Sequence, residues 1–133
     1  MKRLAATLIG LATIGQPLFA QEDQIESVIR DQIEAFRGDD FASAFEHASP
    51  GIRDLFGTPE QFGRMVEQGY PMVHRPSEVV FLTLREEDGE QKQRVMMRGD
   101  DGAVHILEYD MVRIDGVWRI DGVRLLDAAR IGV

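Results

Sequence analysis

Three Asp-Gly dipeptides, Asp88-Gly89, Asp101-Gly102 and Asp115-Gly116, separate four segments rich in Val, Ile, Leu, Met and aromatic residues: 78–86, 91–98, 103–114 and 117–125. Both residues of an Asp-Gly pair tolerate positive φ, which the tight turn of a right-twisted hairpin requires. Parallel strands need a crossover of about a dozen residues or more, and the gaps here are far shorter, so consecutive segments must pair antiparallel. This predicts a four-stranded meander. A fourth pair, Asp121-Gly122, follows Trp118 too closely to open another hairpin and predicts a bulge or bend.

The period is different before Pro76. Over 22–37, Ile25, Val28, Ile29, Ile33 and Phe36 recur at helical spacing, with Glu22, Asp23, Glu26, Arg30, Asp31 and Glu34 mostly opposite. That helix should stop at Gly38, and Asp39 or Asp40 can cap a second one facing inward with Phe41, Ala44, Phe45 and Ala48. Ser49-Pro50 and Thr58-Pro59 each place a hydroxyl cap before a proline whose missing N–H costs nothing at the first helical position. Gln61 stands at capping-box spacing from Thr58. A short helical turn near 50–56 and a helix near 59–68 burying Phe62, Met65 and Val66 are expected. Helices first and a sheet after them is the segregated α+β order, with N-terminal helices packed on a curved, mainly antiparallel sheet.

The segment 103–114 places Leu107, Tyr109 and Met111 on one face, and Val104, Ile106, Val112 and Ile114 on the other with Glu108 and Asp110. Both faces are partly apolar. A face turned away from the helices but not clearly polar suggests a second copy against it, so a homodimer is expected.

Residues 1–20 have the three parts of a secretory signal peptide. Lys2 and Arg3 form a positive start, Leu4 to Gly15 an uncharged run too short to span a bilayer, and Leu18-Phe19-Ala20 a small-residue cleavage site before Gln21. The expected organisation is a signal peptide over 1–20, cut after Ala20, and one domain over 21–133. The expected address is periplasmic or secreted, with no membrane insertion after cleavage. Cleavage removes two cations and no carboxylate, moving the net charge from -8 to -10. Such a field repels phosphate backbones and anionic headgroups, so nucleic acid is not an expected partner. The sequence has no Cys, which excludes disulfides and thiol chemistry; stability must come from packing.

The segments Ile33 to Phe45 (IEAFRGDDFASAF), Phe62 to Pro76 (FGRMVEQGYPMVHRP) and Tyr109 to Val123 (YDMVRIDGVWRIDGV) together resemble the bacterial family called domain of unknown function 4864. The resemblance covers roughly Gln24 to Leu126. Its Gly-x-Trp118-Arg119-Ile120 piece recurs in the nuclear transport factor 2-like (SnoaL-like, cystatin-like) superfamily, whose members set a cone of helices against a strongly curved sheet. The resemblance implies that cone-shaped fold and brings neither an established activity nor catalytic residues. Some members of the superfamily are isomerases, dehydratases or epoxide hydrolases that use an Asp, His or Tyr inside the cone.

Few residues could serve such chemistry. Asp40 is explained as an N-cap, and His74 and Tyr70 lie in a Pro-bracketed connection at a plausible cone mouth, where Tyr70-Pro71 could be cis and the tyrosine could plug the cone. Asp40, His74 and Tyr70 are the catalytic candidates; Tyr70, His74, Tyr109 and Trp118 are the ligand-binding ones. His47 and His105 are isolated, and no pair at metal-ligand spacing stands out, so no metal and no cofactor is expected. The methionines are spread out as core filling, and Glu86-Glu87-Asp88 and Asp100-Asp101 lack the ligand pattern of a calcium loop.

The leading expectation is a non-enzymatic module of the cell envelope that binds a small apolar ligand in the cone or an envelope protein on the sheet. The alternative is a small lyase or isomerase with an Asp, His or Tyr as proton carrier. An open cavity containing an ionisable side chain would favour the enzyme. A cone filled by Phe41, Phe45, Tyr70 and Trp118 would count against both.

Overall fold

The computed structural model describes residues 18–126. The signal-peptide segment up to residue 17 and the expected frayed tail, Ala128 to Val133, lie outside them. Five helices, α1 (Leu18–Arg37), α2 (Phe41–Glu46), α3 (Pro50–Phe56), α4 (Pro59–Gly69) and α5 (Pro71–His74), precede four strands, β1 (Glu78–Glu87), β2 (Glu90–Arg98), β3 (Val104–Ile114) and β4 (Val117–Leu126). The sheet is an open antiparallel meander in the order β1-β2-β3-β4.

Local chemistry sets most element boundaries. Ser49 Oγ accepts from the Ile52 N–H at 3.3 Å, and Thr58 Oγ1 accepts from the Gln61 N–H at 3.2 Å. Asp88-Gly89 and Asp115-Gly116 both have positive φ at each residue, as hairpin turns of the expected type require. The connection through Asp101-Gly102 is different: only Gly102 has positive φ. The Gly102 N–H donates to the Gly99 carbonyl at 3.0 Å, and Asp101 Oδ1 accepts from the Ala103 N–H at 2.9 Å.

Other departures have equally local causes. α1 is already helical at Leu18, the first described residue, rather than starting near Glu22, so the expected cleavage point after Ala20 falls within the helix. Asp39 (φ 53), not Gly38, takes the left-handed conformation after α1. The connection from Tyr70 to Pro76 contains α5, started by Pro71 at its first position, and the Tyr70–Pro71 bond is trans. Met65 is only partly buried; Gly63 is the buried residue beside Phe62 and Val66. A Cβ on Gly63 would lie 2.5 Å from the Phe41 ring, so this glycine permits the close approach of α2 and α4.

Asp121 is the extra residue of a bulge in β4, since Asp110 pairs with Gly122 and Met111 with Ile120. A second irregularity, in β1 between Phe81 and Leu84, carried no turn residue to mark it. Bulges bend and twist strands, and these two curve the sheet around the helices. The core joins Ile25, Ile29, Ile33 and Phe36 of α1 to Val95, Met97, Leu107, Tyr109, Met111, Trp118 and Ile120 on the inner sheet face. Phe62 lies at the centre of an aromatic cluster, 5.8, 5.5 and 5.7 Å from the ring centroids of Phe36, Phe45 and Phe56. The free edge of β4 is closed by a turn: Ile120 donates to the His47 carbonyl and accepts from the Ser49 N–H, both at 2.8 Å.

Candidate functional site

The helices do not fill the curve of the sheet completely. Between α1, α3, α4, α5 and β4 they leave a cavity of about 210 Å³, lined among others by Gln32, Phe36, Phe56, Phe62, Met65, Val66, Tyr70, Ile120 and Val123. Its wall is almost wholly apolar. Leu55, on the same wall, is 73% exposed and stands at its rim. Tyr70 is the single ionisable side chain that the described residues contribute to the wall, and its hydroxyl donates to the Val123 carbonyl at 3.3 Å. Gln32, also in the wall, anchors its amide by donating Nε2–H to the Ala44 carbonyl at 3.1 Å.

Of the sequence candidates, only Tyr70 reaches this cavity. Asp40 is exposed at the N-cap of α2, where it accepts from the Ser43 hydroxyl at 2.6 Å and the Ser43 N–H at 3.1 Å. These bonds hold its carboxyl below the usual carboxylate range, the wrong direction for a proton carrier near neutral pH. Tyr109 is fully buried under the sheet and burial pushes its phenol up; its hydroxyl has no hydrogen-bond partner among the described residues. Trp118 faces a shallower groove with Asp23, Gln24, Ser27 and Val28, beneath the Arg113 guanidinium at 5.8 Å.

His74 belongs to a separate cluster on the helical side. Its ring packs on Phe41, with centroids 6.5 Å apart, and Nε2 lies 2.9 Å from Asp39 Oδ1 and 3.7 Å from Glu67 Oε1. Arg75 donates to the other oxygen of Asp39, Oδ2, at 2.9 Å. The hydrogen bonds from His74 and then from Arg75 hold the Asp39 carboxyl below its usual range, so it is ionised near neutral pH.

The chain matches the family described as Domain of unknown function (DUF4864) over residues 18–133. It belongs to that family. No curated protein matches it in sequence. RPA3114, a SEC-C motif containing protein from Rhodopseudomonas palustris, has a similar solution structure: TM-score 0.59, 20% identity, covering 84% of this chain and 88% of that one. Aln2 from a Streptomyces species is similar at TM-score 0.52 and 18% identity, over 88% of this chain and 97% of Aln2. A variant named Rd1NTF2_05 is similar at TM-score 0.54 and 14% identity, over 80% of this chain and 99% of that one. At these identities the likeness is one of fold alone: this DUF4864 chain has an α+β cone fold of the nuclear transport factor 2-like type.

Sequence reasoning missed most of the cavity wall. One signal was available: Gln32 interrupts the apolar stripe of α1 three residues after Ile29 and four before Phe36, and an amide in such a stripe has to serve a buried partner or a cavity.

Proposed function

We propose that this DUF4864 protein is a non-enzymatic binding module of the cell envelope that holds a small, mainly apolar ligand in the cavity between α3, α4 and β4. The observation that carries this reading is the chemistry of the wall: one phenol, one anchored amide and otherwise hydrocarbon. Of the three proton-carrier candidates for lyase or isomerase chemistry, Asp40 and His74 lie elsewhere, and Tyr70, the one in the wall, has its hydroxyl engaged with the Val123 carbonyl. An apolar cavity of about 150 Å³ suffices for benzene, so this one suits a single aromatic ring system or a short acyl segment, with Leu55 at its rim.

Export fits the same reading. Cleavage after Ala20 would take Phe19, which is 79% exposed, from the start of α1 and leave the core residues from Ile25 onward untouched. Among the described residues no helix is long and apolar enough to cross a membrane. The outer sheet face is the surface we propose for a second copy. It carries the apolar row Val80, Met96, Ile106 and Leu126, in register across the four strands, next to a lattice of paired charges. Two cleaved chains of net charge -10 repel each other least where the surface is locally neutral.

Indole is a suitable probe. Titrated into the protein with NMR detection, it should shift resonances of Val66, Tyr70 and Val123. Val123→Phe, which fills the cavity, should abolish those shifts while leaving the sheet resonances in place. Indole shifts that survive in Val123→Phe would refute the cavity as the binding site. Native mass spectrometry of protein purified from its own envelope should show a chain beginning at Gln21, a dimer and a retained small molecule. Turnover of a carbonyl or hydroxy compound that depends on Tyr70 would favour the lyase or isomerase instead.

A further inference from the structure

We propose that Asp39, Glu67 and His74 form a binding site for one divalent transition-metal ion, of the Zn²⁺ type, at the corner where α1, α4 and α5 meet. The three potential ligand atoms all lie within 4.8 Å of one another. They come from the turn after α1, from α4 and from α5, positions that the sequence separates widely and the fold brings together.

An ion-pair network without a metal accounts for only part of this arrangement. A neutral imidazole carries one N–H, and if it sits on Nε2 the 2.9 Å contact to Asp39 uses it. Glu67, 3.7 Å from the same nitrogen, is then left facing Asp39 as a second carboxylate with no donor of its own from the ring. Two carboxylates converging on one imidazole nitrogen repel each other, and a cation there, imidazolium or metal ion, offsets that repulsion beyond what Arg75 already supplies to Asp39. With the Nε2 lone pair turned outward, the nitrogen and both carboxylates become a three-ligand set of the kind zinc accepts, leaving a fourth position open to water. Ligand atoms around a four-coordinate zinc lie about 3.3–3.5 Å apart, between the 2.9 and 3.7 Å separations found here.

The supporting groups suit the same role. The His74 side chain is only 16% exposed, and its contact with Phe41 fixes the ring plane so that Nε2 points at the carboxylates. Arg75 holds Oδ2 of Asp39 and leaves Oδ1 toward the cluster, as outer groups do for carboxylates that bind metals. The acidic chain attracts cations to its surface, and one nitrogen with two oxygens selects a borderline transition ion over Ca²⁺, which prefers six or more oxygens. This site does not depend on the cavity reading.

Calorimetric titration of the full chain with Zn²⁺ tests the proposal, with Co²⁺ absorption as an independent readout of nitrogen and oxygen ligation. One ion per chain should bind in the micromolar range. His74→Gln and Glu67→Gln should each weaken binding by about tenfold or more, while His105→Gln leaves it unchanged. Glu67 is exposed on α4, so Glu67→Gln keeps the fold, as circular dichroism will show, even if His74→Gln perturbs the corner. Equal Zn²⁺ affinity in the wild type and both variants would overturn the proposal. So would several weak equivalents, or Ca²⁺ binding as tightly as Zn²⁺, since either describes an acidic surface and not a histidine-centred site.

Discussion

Leu107, Glu108 and Tyr109 are consecutive on β3, and each is almost entirely removed from solvent, yet they are buried by two different kinds of chemistry. Leu107 and Tyr109 face the helices among Val95, Met97, Met111 and Ile120. Glu108 faces outward, where no other layer of the described residues covers it. Its carboxylate is buried by guanidinium groups: Arg124 at 2.6 Å, Arg94 and Arg85 each at 3.2 Å. Around it, Lys92 binds Asp110 at 2.7 Å and Arg85 also binds Glu87. The outer face satisfies its polar atoms side chain to side chain. The inner face excludes water by packing, and leaves both an open cavity and a phenol without a partner. An alternating strand can therefore bury a residue on either face; here ion pairing removes one carboxylate of the second face from water.

The inner face should be the more sensitive of the two. Leu107→Ala removes a fully buried side chain from the centre of the sheet and should cost about 3 kcal/mol, read as a shift in urea unfolding. Glu108→Gln should cost less. Stripping one partner from a fully buried ion pair costs about 3–5 kcal/mol, but the three arginine side chains are 41%, 28% and 46% exposed, so water screens them and about 1–2 kcal/mol is expected. If Glu108→Gln proves as damaging as Leu107→Ala, the outer face is a second core and the contrast between the two faces fails.

Acid offers a separate test of the outer face. Burial raises the Glu108 carboxyl, but the Arg94 hydrogen bond and the charges of Arg85 and Arg124 outweigh it and hold the group below the usual carboxylate range. A folded pKa below the unfolded one means that the contribution is complete above the ordinary carboxylate pKa and is lost as pH falls through the folded value. The wild type should therefore lose urea resistance on acidification more steeply than Glu108→Gln. Parallel pH profiles would show that the carboxylate is not held by its arginines.

Legibility in the sequence followed the range of the interactions. The caps at Asp40, Ser49 and Thr58, the turns at Asp88-Gly89 and Asp115-Gly116 and the bulge at Asp121 could all be read because each depends on a few adjacent residues. α5 could not be: four residues after a proline carry no helical period. Nor could the choice of Asp39 over Gly38 for positive φ, because Asp39 also takes hydrogen bonds from His74 and Arg75, more than thirty residues away. Glu108 and Asp110 were visible as carboxylates on a partly apolar face, but their arginines come from three other strands. The cavity was the least legible feature, since it is the space the helices leave between them, and only Tyr70 of the candidates lines it.

The smallest expected effect has the opposite sign. Tyr109 is completely buried, its hydroxyl has no hydrogen-bond partner among the described residues, and burial pushes its phenol up. An unsatisfied buried hydroxyl costs more than its packing returns, because water must be stripped from it without replacement. Tyr109→Phe keeps the ring against Val95 and Leu107 and deletes only the oxygen. It should raise stability by about 1 kcal/mol, seen as a higher urea midpoint with an unchanged denaturant slope. The adjacent residue on the opposite face would respond in reverse: neutralising Glu108 takes from Arg94 its carboxylate and from Arg85 and Arg124 one of two, whereas deleting the Tyr109 oxygen strands nothing. A loss of stability in Tyr109→Phe would mean that the hydroxyl is engaged in the folded protein. The inner face would then share the outer face's reliance on polar pairing, and Tyr109 would return as a candidate for contact with whatever occupies the cone.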